Sequence, residues 1–481
     1  MDAAVKQSLG RNLIGGRWLT SDEVEPILNK YTGQPCGELH IPTQAQVAEA
    51  VQVAYRAFRG CGMTPHERGE ILDRTAQVLA RRESELVEVL VQEVGFPRAD
   101  ALGEVRRCLQ TFRLSAQEAR SLTGDMVPIE GAPGQRGRLG FTLRVPLGVV
   151  CAITPFNAPL NTVAHKVGPA LAAGNALVLK PSAHAPGCSV IMAEALLEAG
   201  LPEGMLAVLQ GGAQTVHWLL DEPRVSFFAF TGSTEAGRQI QQRAGLRRTQ
   251  MELGSIAFTI LAEDADLNFA LPKIVNAAYR KAGQVCTSVQ MLLVHQSICP
   301  QVEQELTSRV QALVYGDPAL AETVVGPVIS LDAARRIEDW VTHAVQGGAR
   351  LLAGGGRHGT VIEPTLLADV SDSMPTSCQE VFGPVMSIVP FATLDEAIDR
   401  VNATPFGLAT GLFTNRIDKA MQAVRQLDVG GVHINETSSS RVDVMPYGGS
   451  KASGFGREGP HHAVREMSEE RMVTILVPER T

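Results

Sequence analysis

The feature that most constrains the fold is a regular alternation of short apolar strands with helical segments between residues 145 and 254. Strands are predicted at residues 148–153, 176–179, 205–209, 225–230 and 249–253, and helices at residues 160–173, 188–199, 216–221 and 234–242. The same alternation returns after residue 254, at residues 258–261, 267–282, 290–294, 304–315, 333–346, 386–390 and 394–403. Strands that alternate with helices build doubly wound parallel sheets. We therefore predict an α/β protein with two such domains.

The remaining segments predict a helical amino-terminal part and two outlying strands. A hairpin is expected at residues 14–18, and amphipathic helices at residues 44–59, 65–94 and 98–121, the second of these being a pair that ends at Gly95. Residues 138–144 and 472–477 alternate apolar and polar side chains outside both α/β blocks. Such strands suit an edge that pairs with another subunit, and a solvated hairpin is the alternative.

Composition excludes several classes of function. The 481-residue chain has a formal net charge of −8, and no long basic run is present, so nucleic acid is not expected as a partner. Its eight cysteines are scattered without any Cys-X-X-Cys pair, which argues against structural zinc and a disulfide framework, and we expect no metal site. Residues 145–164 are uncharged but interrupted by proline and asparagine, so no membrane span is expected. The first ten residues lack a secretion signal, and we expect a cytoplasmic enzyme.

The stretch Gly283-Gln284-Val285-Cys286-Thr287 offers a nucleophile. A cysteine in an apolar run can simply be a small buried hydrophobe. A nucleophilic thiol needs a base or a positive environment, because few free thiols are ionised at neutral pH. Glu252 ends an apolar strand, where a carboxylate is costly unless it faces a cleft or an ion-pair partner. In a cleft it can take a proton from the thiol or from water.

Three further segments suit the binding of an oxyanion and a phosphate. Asn157 carries an amide fit to stabilise an oxyanion, worth on the order of 3 kcal/mol, and it can also cap the helix that follows. The segment Phe230-Thr231-Gly232-Ser233 follows a strand and opens a helix, which favours a pyrophosphate, although a plain helix cap is the better explanation of this segment taken by itself. Lys180 ends a strand, where such sheets bind ligands, unless it is merely solvated.

These motifs, with two later ones, carry a resemblance to a known family. The two are Glu380-Val381-Phe382-Gly383-Pro384 and the segment from Pro446 through Tyr447-Gly448-Gly449 to Gly454. Taken in this order, the motifs resemble those of the aldehyde dehydrogenase superfamily along essentially the whole chain. The resemblance implies that Cys286 is the nucleophile, that Asn157 and the Cys286 amide form the oxyanion hole, and that Glu252 activates the water that releases the acid.

The resemblance also implies a cofactor, an order of steps and a domain plan. Oxidation with NAD or NADP would run through a thiohemiacetal and a thioester to a carboxylic acid. The implied cofactor-binding residues are Thr154, Pro155, Phe156, Lys180, Ser182, Ala183, Gly232, Ser233, Leu253, Gly254, Glu380 and Phe382. Residues 1–123 and 146–254 would form the dinucleotide-binding domain, residues 255–445 the catalytic domain, and residues 124–145 and 463–481 a β-arm for oligomerisation. We therefore expect a homodimer or a homotetramer.

Departures from the family pattern bear on the cofactor and the substrate. Ala183 stands where NAD-preferring members often carry glutamate, and His184 follows it, so a 2′-phosphate is not repelled and NADP stays open. Ala158, Asn161, Thr162 and His165 share one small, polar helix face that the resemblance places along the substrate tunnel. We predict a short polar aldehyde, either a hydroxyaldehyde such as lactaldehyde or an anionic semialdehyde. The predicted substrate residues are Arg107, Asn161, Thr162, His165, Val285, Thr287 and Ser439, with Arg106 as an alternative to Arg107.

Two other functions are compatible with the same fold. A CoA-acylating semialdehyde dehydrogenase would pass the acyl group to CoA, but that branch tends to lack the glutamate that is present at position 252. A non-catalytic dinucleotide-binding protein would be expected to have lost Cys286 or Asn157, and both are present.

Overall fold

A computed structural model describes residues 8–476 of the chain. The amino-terminal part contains strands β1 (Ser8–Gly10), β2 (Asn12–Ile14), β3 (Arg17–Leu19), β4 (Val24–Leu28) and β5 (Pro35–His40), and helices α1 (Gln44–Gly60), α2 (Pro65–Arg81), α3 (Glu83–Val94) and α4 (Arg98–Ser121). The predicted hairpin is formed by β2 and β3, which pair antiparallel. Capping boxes start α1 at Thr43 and α2 at Thr64, and Gly95 ends α3 in the left-handed conformation, as its position predicted.

The first α/β block follows the predicted alternation closely. It contains β6 (Met126–Val127), β7 (Arg138–Pro146), β8 (Val149–Ile153), α5 (Asn161–Ala172), β9 (Ala176–Lys180), α6 (Gly187–Glu198), β10 (Leu206–Val208), α7 (Ala213–Asp221), β11 (Val225–Thr231), α8 (Thr234–Ala244) and β12 (Arg248–Glu252). Five parallel strands lie in the order β12-β11-β8-β9-β10, and the antiparallel pair β2 and β3 extends the sheet beyond β10. The strand order reverses between β8 and β11, the place where sheets of this kind bind ligands.

The rest of the chain carries the second block, followed by a carboxyl-terminal part that joins the first sheet and the outlying strands. It contains β13 (Ala257–Leu261), α9 (Leu267–Tyr279), β14 (Val289–His295), α10 (Cys299–Gln311), α11 (Leu331–Gln346), β15 (Arg350–Ala353), β16 (Arg357–His358), β17 (Val361–Ile362), β18 (Thr365–Ala368), α12 (Pro375–Cys378), β19 (Val385–Phe391), α13 (Leu394–Asn402), β20 (Phe406–Gly407), β21 (Ala409–Phe413), α14 (Ile417–Gln426), β22 (Gly431–Ile434), β23 (Ser450–Lys451), β24 (Gly454–Phe455), α15 (Pro460–Glu466) and β25 (Ser468–Leu476). Its sheet has the order β15-β18-β19-β14-β13-β21-β22, in which only the β15 pairing is antiparallel. The predicted α/β class with doubly wound sheets is confirmed.

Three helices differ from the predicted ranges by three residues or more, and one of them is α7, which begins at Ala213 rather than at residue 216. The helix expected at residues 267–282 ends at Tyr279, because Lys281 and Ala282 adopt left-handed backbone conformations with φ of 51° and 53°. The helix expected at residues 304–315 spans Cys299–Gln311 instead. Its first turn holds Pro300, which suits a helix start because that position needs no amide donor, and the sequence prediction overlooked this signal.

Buried side chains form two hydrophobic cores. One consists of residues from the amino-terminal helices and the first sheet, up to Leu253, joined by Val464 and Met467 of the carboxyl end. The other consists of residues between Ile256 and Leu427. The change of core near residue 254 agrees with the place where the sequence pattern restarts, while the assigned domain ranges stay a prediction, and their parts at residues 1–7 and 477–481 lie outside the described residues.

The two outlying strands pair with each other. β25 runs antiparallel to β7 along its whole length, with Met472 opposite Thr142, and β6 adds a third strand. Apolar side chains on this sheet, including Leu143 and Ile475, are exposed. Residue 477, the last of the predicted strand, lies outside the described residues. Between residues 8 and 476, no helix is long and apolar enough to cross a bilayer.

Candidate active site

A cavity of about 750 Å³ opens where the parallel strands of the first sheet end. The segments that follow β8, β9, β11 and β12 line it together with Cys286, Glu380 and Phe382. Parallel strands present their carboxyl ends at one edge of a sheet, so the residues that follow them converge although they are distant in sequence. All of the residues predicted to act in catalysis or to bind cofactor line this one cavity.

The loop that carries Cys286 has an unusual backbone. Lys281, Ala282 and Gly283 are consecutive left-handed residues, with φ of 51°, 53° and 67°. The amide of Lys281 is held by Asp100 Oδ2 at 2.9 Å, and its ammonium by Glu104 Oε2 at 2.7 Å. These bonds to helix α4 compensate for the strain of the left-handed residues and direct the loop towards the cavity.

Cys286 is half-buried, and its Sγ lies 2.9 Å from the hydroxyl of Tyr447. Burial and the neighbouring Glu252 carboxylate raise the pKa of the Cys286 thiol to about 12, while the bond to Tyr447 lowers it. Arg441 lies over the Tyr447 ring, with its guanidinium carbon 3.8 Å from the ring centroid. The sulfur is thus held in place, but it needs further help to become ionised.

Glu252 is buried at the end of β12, and neither of its carboxylate oxygens has a hydrogen-bond partner within the described residues. Burial, and then the negative charge of Glu458, raise the pKa of Glu252. Glu458 is ionised instead, because Lys166 Nζ at 2.7 Å and Arg441 Nη2 at 2.8 Å hold its pKa low against burial. An unpartnered carboxylate with a raised pKa at the edge of a cavity suits a general base.

Asn157 lines the cavity and contacts the loop that carries Cys286. Its side-chain amide donates to the carbonyl of Gln284 at 2.9 Å, two residues before the sulfur. An amide nitrogen carries two hydrogens, so the second can serve an oxyanion formed beside Cys286. Asn157 lies outside helix α5, and Leu160 at the helix start has no side-chain cap, so the alternative role as a helix cap is not supported.

The predicted cofactor residues form the other side of the cavity, and their chemistry fits a dinucleotide. Ser233 caps α8, whose amino terminus favours a phosphate. Thr154 has a buried hydroxyl oxygen without any partner in the described part of the chain. Lys180 is buried, and this burial lowers its pKa to about 8, while partial desolvation of the half-buried Glu380 raises its pKa to about 7. Contacts within the protein do not use the full hydrogen-bonding capacity of these groups. They are therefore suited to bind ribose hydroxyls and a pyrophosphate.

Close packing brings Glu380 and Phe382 to this side. A Cβ atom on Gly254 would lie only 2.7 Å from Glu380 Oε2, so a larger residue there would displace the Glu380 carboxylate. Phe382 adopts a left-handed backbone with φ of 50° and packs edge-on against Phe156, with ring centroids 5.7 Å apart. Pro155, Ser182, Ala183, Gly232 and Leu253 also line the cavity.

The structure places the predicted substrate residues in two groups. Thr162 lines the cavity, whereas Val285, Thr287 and Ser439 do not, and the hydroxyls of Thr287 and Ser439 lie 3.4 Å apart. Arg107, Asn161 and His165 do not line the cavity. All three bind Asp443 Oδ1, at 2.7, 2.9 and 2.9 Å respectively, and so anchor the loop of Arg441. Burial, and then Arg441, lower the pKa of His165.

Sequence reasoning missed several residues of the site. Tyr447 appeared only inside a family motif, and four residues were not among the predicted site residues, namely Lys166, Arg441, Asp443 and Glu458. Arg280 was also missed, and its Nη2 donates to Ser439 Oγ at 2.7 Å. One signal was available for Lys166, which is a charged residue within an apolar helical segment. Charged residues there must be paired, and the partner is a distant carboxylate.

Comparison with known proteins identifies the family. The model of the aldehyde dehydrogenase family matches residues 18–473. The chain belongs to this family. It is an oxidoreductase that oxidises an aldehyde with NAD or NADP, as the sequence analysis predicted.

Individual relatives cover almost the entire chain. It is 45% identical to 3-sulfolactaldehyde dehydrogenase of Priestia aryabhattai, over 96% of this chain and 97% of that protein. It is 39% identical to aspartate-semialdehyde dehydrogenase 1 of Pseudomonas canavaninivorans, over 94% and 97%. Aldehyde dehydrogenase 21 from Physcomitrella patens, solved with the reaction product succinate, has a TM-score of 0.95 and 33% identity, over 98% of this chain and 99% of that one.

Proposed function

We propose that this aldehyde dehydrogenase oxidises a short aldehyde that carries a negative charge, in the manner of 3-sulfolactaldehyde or a semialdehyde, to the corresponding acid. The observation that carries the proposal is the convergence of Cys286, Glu252 and Asn157 on one cavity that Arg441 also lines. The first three supply a nucleophile, a base and an oxyanion donor. The arginine supplies a cation close to the nucleophile.

Two arginines support an anionic substrate. Arg441 lines the cavity, and its buried Nε has no partner among the described residues. Arg280 is half-buried, bonds Ser439 and forms no ion pair within residues 8–476. A cation without a carboxylate partner in such a place is costly unless a ligand supplies the charge. Arg107 already has Asp443 as its counterion, and Arg441 shares Glu458 with Lys166, so we reassign the anion contact from Arg107 to Arg280, with the unpartnered Nε of Arg441 as a second donor.

The names of the relatives support the same substrate class. They act on 3-sulfolactaldehyde, aspartate semialdehyde and, in the mitochondrial enzyme of Arabidopsis thaliana that is 36% identical, succinate semialdehyde. Lactaldehyde dehydrogenases of methanogens are 33–34% identical. A short carbon chain is common to all of these substrates, and a terminal anion to three of them. The closer identity to 3-sulfolactaldehyde dehydrogenase favours an anionic hydroxyaldehyde.

In the proposed mechanism, the Cys286 thiolate attacks the carbonyl carbon and forms a thiohemiacetal. The Asn157 amide and the Cys286 backbone amide hold the oxyanion. Lys180 and Glu380 would hold the ribose hydroxyls of a bound nicotinamide cofactor and Ser233 its pyrophosphate, and the cofactor would supply the hydride acceptor. Glu252 then removes a proton from the water that hydrolyses the thioester and releases the acid.

A steady-state screen tests the substrate class. We expect higher kcat/KM for 3-sulfolactaldehyde and succinate semialdehyde than for lactaldehyde, hexanal and benzaldehyde, each measured with NAD and with NADP. Arg280→Met should raise KM for the anionic aldehydes and leave lactaldehyde nearly unchanged, whereas the exposed Arg106→Met is the matched control. A preference for hexanal or benzaldehyde would refute the proposal. A requirement for CoA would favour the acylating alternative.

The assembly and the location of the enzyme are also proposals. Exposed apolar residues on the sheet of β6, β7 and β25 support pairing of this arm with another copy, as a homodimer or a homotetramer. Light scattering on the purified protein would give the number of subunits. All eight cysteines are free thiols, which supports a reducing compartment such as the cytoplasm.

A further inference from the structure

The hydroxyl of Tyr447 is the only described side-chain group that forms a hydrogen bond with the Cys286 sulfur, at 2.9 Å. The tyrosine is buried, and its ring is held by Arg441, which is bonded to Glu458. Lys166 binds the same glutamate. A row of buried charges therefore fixes the position of a single phenol against the sulfur.

We propose that Tyr447 is a catalytic residue whose hydroxyl donates a hydrogen bond to the Cys286 thiolate and so stabilises the ionised nucleophile. The inference rests on the proposed role of Cys286. No proton is transferred between the two residues, and the phenol keeps its proton throughout.

The direction of the hydrogen bond follows from the surroundings. Burial, and then the nearby Cys286 and Glu252, raise the pKa of Tyr447 well above its usual value, so the phenol remains protonated and can donate. A thiolate can only accept. The groups that act electrostatically on the sulfur are Glu252 and Glu380, which oppose its ionisation, and Arg441, which favours it. With two carboxylates against one guanidinium, a direct donor is the contact best able to favour the thiolate.

The stabilisation also explains why a buried sulfur can react. Hydrogen bonds to charged groups are stronger than those between neutral groups. Loss of the donor should raise the apparent pKa of the thiol by about one unit, which slows any reaction of the thiolate about tenfold wherever the thiol predominates. This effect requires neither aldehyde nor cofactor, so it can be measured on the free enzyme.

Alkylation by iodoacetamide tests the inference. The second-order rate would be measured against pH, with the modified residue identified by mass spectrometry. We expect Tyr447→Phe to react about tenfold more slowly at neutral pH and its profile to move about one unit towards alkaline pH. Tyr315→Phe, which removes a hydroxyl bonded to Glu363 at 3.0 Å on the surface, is the matched control and should leave the profile unchanged.

A second measurement keeps the side chain in place. Biosynthetic replacement of the five tyrosines by 3-fluorotyrosine makes each phenol more acidic and a stronger donor. We expect the thiol profile to move towards acidic pH in the otherwise unchanged enzyme and not in Tyr447→Phe. An unmoved profile in both Tyr447→Phe and the fluorinated enzyme would overturn the inference while leaving the proposed function intact. Alkylation at other cysteines with Cys286 unmodified would overturn the proposed function as well.

Discussion

At the scale of single residues, burial sets the chemistry of the candidate site. Glu252 lies close enough to Cys286 to oppose the ionisation of its thiol, and burial disfavours the charged form of both. Each therefore needs a neighbour or a ligand to complete its environment.

Replacement of the nucleophile should abolish activity without affecting the fold. We expect Cys286→Ala to show no aldehyde-dependent NAD(P)H formation, because the variant lacks the sulfur that acts as the nucleophile. The alanine removes only one atom beside a cavity, so the thermal midpoint should stay close to that of the wild type. Cys61→Ala, at another half-buried thiol, is the matched control and should retain full activity. Residual activity in Cys286→Ala would contradict the assignment.

Replacement of the base should separate the two half-reactions. We expect Glu252→Gln to slow thioester breakdown about 100-fold and thioester formation much less, as measured by rapid-quench single turnovers. Glu252 accepts a proton only when ionised, and its pKa is raised by burial and by Glu458. The breakdown rate of the wild type should therefore increase as pH rises through that raised pKa. The glutamine variant should lose this dependence, and if it keeps it, another group is the base.

At the scale of elements, the turn between α9 and β14 places the nucleophile. A Cβ atom on Gly283 would lie 2.1 Å from the carbonyl oxygen of Gly383, and the residue has a φ of 67°. We expect Gly283→Ala to lower the free energy of unfolding by at least about 1 kcal/mol, and to reduce kcat because the loop must move away from Gly383.

Two glycines provide the controls for that variant. Gly359 shares the left-handed conformation, with φ of 63°, but a Cβ there meets nothing within 4 Å. Gly359→Ala should therefore report the conformational cost alone and leave kcat unchanged. Gly103 lies inside helix α4 with open space around it, and alanine there should be neutral or stabilising by up to about 1 kcal/mol. Equal losses of kcat in all three variants would contradict the argument.

At the scale of the whole molecule, buried ion pairs join the two cores. Glu104 of helix α4 and Lys281 of the catalytic loop are both buried and lie 2.7 Å apart. Burial opposes the charge of Glu104, yet Lys281 outweighs it and lowers the pKa of the carboxyl. Its contribution to stability is therefore present above the unfolded pKa and lost as pH falls through the lower, folded pKa.

Removal of one charge tests this link. We expect Glu104→Gln to lower the free energy of unfolding by about 3 kcal/mol, because Lys281 is left buried without a counterion. Urea denaturation monitored by fluorescence would measure it. Glu88→Gln removes the carboxylate of an exposed pair with Arg98 and should cost less than about 1 kcal/mol. Equal losses of unfolding free energy in the two variants would show that burial does not increase the contribution of the ion pair to stability.

Local information determined much of this protein. The alternation of apolar strands and helices predicted both sheets, because each strand must bury both faces and each helix one face. The same logic located the strand ends, and therefore the cavity formed by Thr154, Lys180, Gly232 and Glu252. Family motifs added Cys286 and Glu380.

Only the tertiary structure decided which side chains meet across the chain. Asn161 and His165 share one predicted helix face and Arg107 lies on another helix, yet all three bind Asp443 rather than line the cavity. Lys166 binds Glu458, which lies 292 residues away in the sequence, and Tyr447 forms a hydrogen bond with Cys286, which lies 161 residues away. The local sequence pattern does not identify such partners. A buried charge requires a counterion, but nothing near it in the sequence specifies where that counterion lies.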